Sequence, residues 1–179
     1  MYHDVIIAGF GGQGVLLIGN LLAQAGMENG LNVTFIPVYG AEMRGGTANC
    51  TVVISDDPIG APIVARPLSL IAMNGPSLRK FQPMLQVDGM QVVNSSLIES
   101  TEVDTSKKSV LIPVNEIADK EIGDPKLANM VALGALLKVT ACMTLVQVQQ
   151  ALEATIPIRY HNLLPKNREA LAVGYNFVK

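Results

Sequence analysis

Val5-Ile6-Ile7-Ala8-Gly9-Phe10-Gly11-Gly12-Gln13-Gly14-Val15 is the stretch whose reading sets the architecture. Its first four residues form an unbroken apolar run, the pattern of a strand buried on both faces, and the glycines that follow end that strand. From residue 15 to residue 26 the composition turns helical, so the segment reads strand, glycine turn, helix. Gly30 supplies a left-handed position to close this helix, and Val33, Phe35 and Ile36 mark a second strand running to Pro37. The opening is predicted to be a βαβ unit.

The turn satisfies the spacing GxGxxG between a predicted strand and a predicted helix. There, missing side chains let backbone N–H groups and the positive helix end approach a phosphate. Two readings stand side by side. Gly9, Gly11, Gly12, Gln13 and Gly14 contact a phosphate or diphosphate, or the glycines serve only a tight turn and close packing of helix on sheet. A dinucleotide site would also want an Asp or Glu near the end of the second strand for the ribose hydroxyls. That strand ends Pro37-Val38-Tyr39-Gly40, without an acid.

Gly40-Ala41-Glu42-Met43-Arg44-Gly45-Gly46-Thr47 is the second unusual segment, setting one carboxylate and one guanidinium between glycines. It is predicted to be a loop at the carboxyl edge of the sheet, beside the 9–14 turn, so that the two form one glycine-lined crevice. Arg44 there would fork onto a phosphate or a partner's carboxylate. Glu42, Met43, Arg44, Gly45, Gly46 and Thr47 form the candidate interface, and a solvated pair of Glu42 and Arg44 is the alternative.

Residues 47–55 are rich in β-branched side chains, and the turn chemistry of Asp56-Asp57-Pro58-Ile59-Gly60 predicts an antiparallel hairpin with residues 61–64. Further strands are expected at 68–73, 91–94 and 109–114, with a short helix at 76–84, which makes the sheet mixed. Beyond Asn115 the pattern is helical. Asp124 and Pro125 suit an N-cap and first position for a helix to about residue 141. Thr144 with Gln147 is a capping box opening a helix at 145–154, Pro157 stops it, and a last helix covers 164–172. Residues 1–179 are read as a single domain.

Composition narrows the function classes. With 49% hydrophobic and 16% charged residues the chain has enough apolar content for one core and too little charge for disorder. A net charge of −2 without a block of one sign argues against a nucleic-acid partner. Cys50 and Cys142 lie far apart with no CxxC, which disfavours a disulfide framework, a zinc site or an iron–sulfur site; both read as buried thiols. The start lacks the pattern of a signal peptide, and the most apolar stretch, 127–137, is too short for a bilayer, so a cytoplasmic protein with no membrane partner is expected. His3 and His161 have no metal-ligand spacing and are expected at the surface. No catalytic or metal-binding residue is assigned.

GFGGQGV (9–15), GAEMRGGTANC (40–50), VVISDDPIG (52–60), AMNGPSL (72–78) and NMVALGAL (129–136) together resemble the gamma subunit of 2-oxoacid:ferredoxin oxidoreductases. The resemblance covers essentially the whole chain. It implies a three-layer α/β/α domain with a mixed, mainly parallel sheet, one antiparallel hairpin and a helical C-terminal part. Such a domain occurs as a separate subunit or fused within single-chain pyruvate enzymes. The resemblance also implies a non-catalytic partner, inactive alone, in a complex that oxidatively decarboxylates a 2-oxoacid to its acyl-CoA. In that complex thiamine diphosphate and magnesium sit between alpha and beta subunits, [4Fe–4S] clusters pass electrons through a ferredoxin-like delta subunit to ferredoxin, and coenzyme A takes the acyl group.

Pyruvate-specific members often carry an ERRGAP-like segment where this chain has AEMRGG, so the closer resemblance is to 2-oxoglutarate and branched-chain types. Ala41 departs from the proline common there. Two other readings remain: a free-standing NAD(P)- or nucleotide-binding Rossmann-like protein, and a packing subunit that contacts no ligand.

Overall fold

In the computed structural model, which describes residues 1–39 and 47–179, the opening run becomes strand β1 (Tyr2–Phe10) and the helix after it α1 (Val15–Glu28). Strands β2 (Asn32–Tyr39), β3 (Thr47–Ser55), β4 (Ser69–Ala72), β5 (Met90–Asn94) and β6 (Lys108–Ile112) complete a six-stranded sheet of order β2-β3-β1-β4-β5-β6. From β1 to β6 neighbouring strands are parallel, whereas β3 runs antiparallel to both β1 and β2. Helix α2 (Gly75–Phe81) follows β4. The C-terminal part holds α3 (Val114–Ile117), α4 (Ala128–Thr140), α5 (Leu145–Thr155) and α6 (Leu164–Phe177).

The apolar run of β1 is continuous because each face meets its own core. Val5 and Ile7 join the larger cluster under α1, α4, α5 and α6, and Ile6 and Ala8 join a smaller one with Leu78 and Phe81 of α2. Side chains alternate across a strand, so the part of a strand covered on both sides, here Val5 to Ala8, is apolar at every position. The result is the three-layer α/β/α arrangement expected.

Several expectations need correction. β1 and β2 are parallel but not neighbours, because β3 lies between them, so the opening is not a simple βαβ unit. The hairpin partner of β3 is β2, from Asn32 opposite Ser55 to Tyr39 opposite Ala48, and residues 61–64 form no strand. Pro58, Pro62 and Pro67 crowd that segment, and each lacks the N–H that a ladder needs. Asp124 does cap, its carboxylate accepting from Lys126 N at 3.1 Å, but the cap opens a 3-10 turn (Pro125–Leu127) that leads into α4. β6 stops before Pro113, and α6 runs past residue 172 to Phe177. The capping box at Thr144 and Gln147 is present as predicted.

α4 explains the most apolar stretch of the sequence. It is buried from Ala128 to Leu137, with the sheet on one side and α6 on the other. Such a helix is apolar all round because it has no solvent face. Gly134 and Gly174 let α4 and α6 cross backbone to backbone: a Cβ on either would fall inside contact distance of a carbonyl, of Leu171 or Val131 respectively. Among the described residues no helix is long and apolar enough to cross a membrane.

Candidate functional site at the carboxyl edge of the sheet

β1, β4, β5 and β6 all end at one edge, and each is followed there by a polar turn: Gly11–Gly14, Met73-Asn74, Asn94-Ser95 and Pro113 to Asn115. In the first, Gly12 and Gly14 adopt φ of 96° and 70°, a region costly to residues with a Cβ, and Gly14 serves as N-cap of α1 without a side-chain cap. Gly9 is needed for closeness instead, since a Cβ there would come within 2.7 Å of Gln13 Oε1 and 2.9 Å of Val15 Cγ1.

A chain of carboxamides ties the four turns together. Gln13 Nε2 donates to the carbonyl of Met73 (3.3 Å), and Gln13 Oε1 accepts from Phe10 N (2.7 Å) and Asn74 Nδ2 (2.9 Å). Asn74 Oδ1 in turn caps α2 by accepting from Ser77 N at 2.9 Å. Asn94 Nδ2 donates to the same Met73 carbonyl (3.1 Å) and to Asn115 Oδ1 (2.8 Å). From the helical layer Asn129 Nδ2 reaches the Gly14 carbonyl at 3.1 Å. Asn74, Asn94 and Asn129 are almost completely buried. Buried amides fully paired in this way hold a fixed geometry, because a misplaced one would leave a donor or acceptor unmet.

Beside this chain lies a cavity of about 250 Å³ lined by Gly12, Gln13, Met73, Asn115, Pro125, Lys126 and Ala128. Lys126 also lines an adjoining groove of about 400 Å³, walled mostly by apolar side chains such as Leu17, Leu127, Ile156 and Tyr160. Gly9, Gly11, Gly12, Gln13 and Gly14 thus lie at or beside a concave site at the carboxyl edge, where open α/β sheets bind ligands. Of the second predicted set, Gly40 to Gly46, including Glu42, Met43 and Arg44, lie outside the described residues. Thr47 begins β3 directly opposite Phe10.

Several other titratable groups among the described residues are engaged in the fold itself. At the opposite edge, Asp4 is buried and accepts from Leu68 N at 2.6 Å, and Ser69 Oγ donates to the Asp4 carbonyl at 3.1 Å. Because the Ser69 hydrogen is spent there, His3 Nε2, 2.9 Å from Ser69 Oγ, carries the proton of that contact. His3 is therefore half-buried and engaged, not the surface residue expected, and burial lowers its pKa although nearby Asp4 opposes the shift. His161 likewise bonds to the Ile156 carbonyl at 2.8 Å. Burial pushes the Cys50 thiol up to about 12, and its Sγ donates to the Val15 carbonyl at 3.6 Å, which suits an inert packing thiol.

Asn74, Asn94, Asn115, Asn129 and Lys126 escaped the sequence reading. A signal was available for three of them. Asn74, Asn94 and Asn115 each follow an apolar run within three residues of a strand's end, a repetition that only the shared edge makes meaningful.

A mixed sheet with one reversed strand, a glycine turn at its carboxyl edge and a buried helix behind that turn defines the class. Residues 4–177 match the family described as pyruvate ferredoxin/flavodoxin oxidoreductase, and the chain belongs to that family. It is 32% identical over 183 residues to the 2-oxoglutarate synthase subunit KorC of Methanocaldococcus jannaschii, covering all of this chain and 95% of that protein. It is 43% identical over 137 residues to the ketoisovalerate oxidoreductase subunit VorA of Methanothermobacter marburgensis; the match takes in 74% of this chain and 27% of VorA. The chain thus spans about a quarter of VorA and nearly all of KorC. Among solved structures, the gamma subunit of a keto/oxoacid ferredoxin oxidoreductase from Geobacter sulfurreducens superposes with a TM-score of 0.83 at 26% identity, over 97% of this chain and 96% of that one. A free-standing nucleotide-binding protein is not favoured by these relationships.

Proposed function

We propose that the chain acts as the gamma component of a cytoplasmic 2-oxoacid:ferredoxin oxidoreductase that forms acyl-CoA by oxidative decarboxylation. The observation that carries this reading is the end-to-end match with a 2-oxoglutarate synthase subunit together with the gamma-subunit fold. Alpha, beta and ferredoxin-like delta subunits are its partners, and thiamine diphosphate, magnesium and the [4Fe–4S] clusters belong to them. The sequence holds two cysteines, each buried singly, and among the described residues the concave site offers amides and one ammonium, which suits a chain that positions a ligand.

In this reading the crevice at Gly9 to Gly14, with Arg44 and the segment 42–47, meets a coenzyme A phosphate or an acidic group of a partner subunit. Coenzyme A supplies the thiol that accepts the acyl group, while Gly12, Gln13 and Arg44 hold and orient it. The test is coexpression with a thiamine diphosphate subunit and a ferredoxin-like subunit from the same source. Copurification and 2-oxoacid-dependent reduction of ferredoxin with coenzyme A are expected. A fully active complex lacking this chain, or turnover by the chain alone, refutes the reading.

A further inference from the structure

The sequence contains two Asn-Gly pairs, Asn29-Gly30 and Asn74-Gly75. In such a pair the backbone nitrogen of the glycine can attack the carboxamide carbon of the asparagine side chain, because no Cβ shields that nitrogen. The attacking nitrogen gives up its proton, a succinimide ring closes, and the former NH2 group leaves as ammonia. Water then opens the ring to aspartate or isoaspartate. The whole step is a hydrolysis, an amide and water giving an acid and ammonia, and it needs no cofactor.

The fold treats the two pairs differently. Asn74 is buried, its Nδ2 donates to Gln13 Oε1 at 2.9 Å, and its Oδ1 caps α2. Its carboxamide cannot turn onto Gly75 unless this part of the sheet edge comes apart. Asn29 and Gly30 are both exposed at the end of α1, and a Cβ on Gly30 would meet nothing within 4 Å. The bonds that restrain them belong to the helix end: Asn29 Nδ2 donates to the Ala25 carbonyl at 2.8 Å, and Gly30 N to the Met27 carbonyl at 3.1 Å. Helix ends fray, so releasing both opens one turn and leaves the core intact.

Asn29 also has a structural task. Its Oδ1 accepts from Gln147 Nε2 at 2.7 Å, and Gln147 Oε1 accepts from Thr144 N at 2.9 Å within the capping box of α5. A donor at one end and a carbonyl at the other leave Gln147 and Asn29 one orientation each. This line of carboxamides joins the C-terminus of α1 to the N-terminus of α5 across 118 positions of sequence. An aspartate at position 29 has no donor for the Ala25 carbonyl. It also sets a negative charge beside the carbonyl end of α1, whose last turn carries no basic residue. Isoaspartate further adds a backbone methylene just before Gly30, whose φ of 75° completes the turn.

We infer that Asn29 is a modification site, open to deamidation in the folded chain where Asn74 is closed, and that its product weakens the joint between α1 and α5. Gln147 restrains the reaction by holding the Asn29 carboxamide away from Gly30 N.

The experiment is incubation of the full chain in mildly alkaline buffer, with peptide mass mapping at intervals. Exchange of NH2 for OH should accumulate at Asn29, and at least about tenfold more slowly at Asn74. In urea-unfolded chain both sites should react at similar rates. Gln147→Ala should speed the reaction at Asn29 at least about threefold and leave Asn74 unchanged. Asn29→Asp, which makes one product directly, should lower the thermal midpoint by about 2 to 4 °C. That variant reads the effect of the modification without waiting for the reaction. Equal rates at Asn29 and Asn74 in the folded chain overturn the inference. So does an Asn29 that reacts only after unfolding, a rate at Asn29 indifferent to Gln147→Ala, or an unchanged midpoint in Asn29→Asp.

Discussion

Asn129, in the second residue of α4, donates through Nδ2 to the carbonyl of Gly14 at 3.1 Å, joining two residues 115 positions apart. Through this bond the buried helix fixes the last residue of the glycine turn. A Cβ on Gly14 would collide with that same amide and would have to adopt φ of 70°. Gly14→Ala should therefore lower unfolding free energy by about 2 kcal/mol or more in urea titrations. Asn129→Ala, which strands the Gly14 carbonyl and the Met130 N–H that Asn129 Oδ1 accepts from, should cost about 1 to 3 kcal/mol.

The crossing of α4 and α6 leaves still less room. A methyl group on Gly174 meets backbone of Val131 instead of a side-chain tip, so no rotamer change relieves it. Gly174→Ala is expected to destabilise by about 3 kcal/mol or to yield insoluble protein. A control alanine at exposed Lys166 should leave the melting temperature unchanged, within about 0.5 kcal/mol.

Cys50 should resist alkylation by iodoacetamide at pH 8 until the chain unfolds. Its thiol titrates near 12 in the fold, whereas a thiol in the unfolded chain does so near 8.5. The folded state thus holds more protons between these values, and stability must fall as pH rises through that window. Cys50→Ala should flatten the fall, seen in denaturant midpoints measured from pH 8 to pH 10.

His3 gives the opposite slope. Burial lowers its pKa, so the unfolded chain binds a proton more readily than the fold does, and stability present above about pH 6.5 is lost as pH drops below it. His3→Gln, which keeps a donor toward Ser69, should weaken the acid dependence of the melting temperature.

Arg44 is expected to separate stability from activity. Arg44→Ala is expected to cost under about 0.5 kcal/mol of stability, the size usual for the loop position that its glycine-rich sequence predicts. Loss of a charge-assisted contact to ligand or partner would cost about 1.5 to 3 kcal/mol. Melting temperature, assembly and the Michaelis constant for coenzyme A, measured together on the complex, check this. A folded chain that fails to assemble assigns the contact to the interface; unchanged assembly and kinetics leave Arg44 a solvated residue.

Local patterns made most strands and helices legible. The glycine turn, the Asp124 cap and the capping box at Thr144 each depend on a few neighbouring residues, and all three stand where they were expected. Strand order did not follow from such patterns. Whether β3 pairs with residues 61–64 or inserts between β1 and β2 depends on contacts distant in sequence, and the turn chemistry at 56–60 suggested the wrong partner. The carboxamide chain was hidden for the same reason. An asparagine after an apolar run reads locally as a turn residue, and only the parallel arrangement of β1, β4, β5 and β6 gathers four such turns at one edge.

The scaffold of that edge is built from neutral amides, none of which gains or loses a proton in the range where proteins stay folded. Gln13, Asn74, Asn94, Asn115 and Asn129 therefore keep the same donor directions in mildly acidic and mildly alkaline solution. The shape offered to a ligand is insensitive to acidity. A pH profile of binding measured at this cavity would therefore report on the guest and not on the amides that shape the wall.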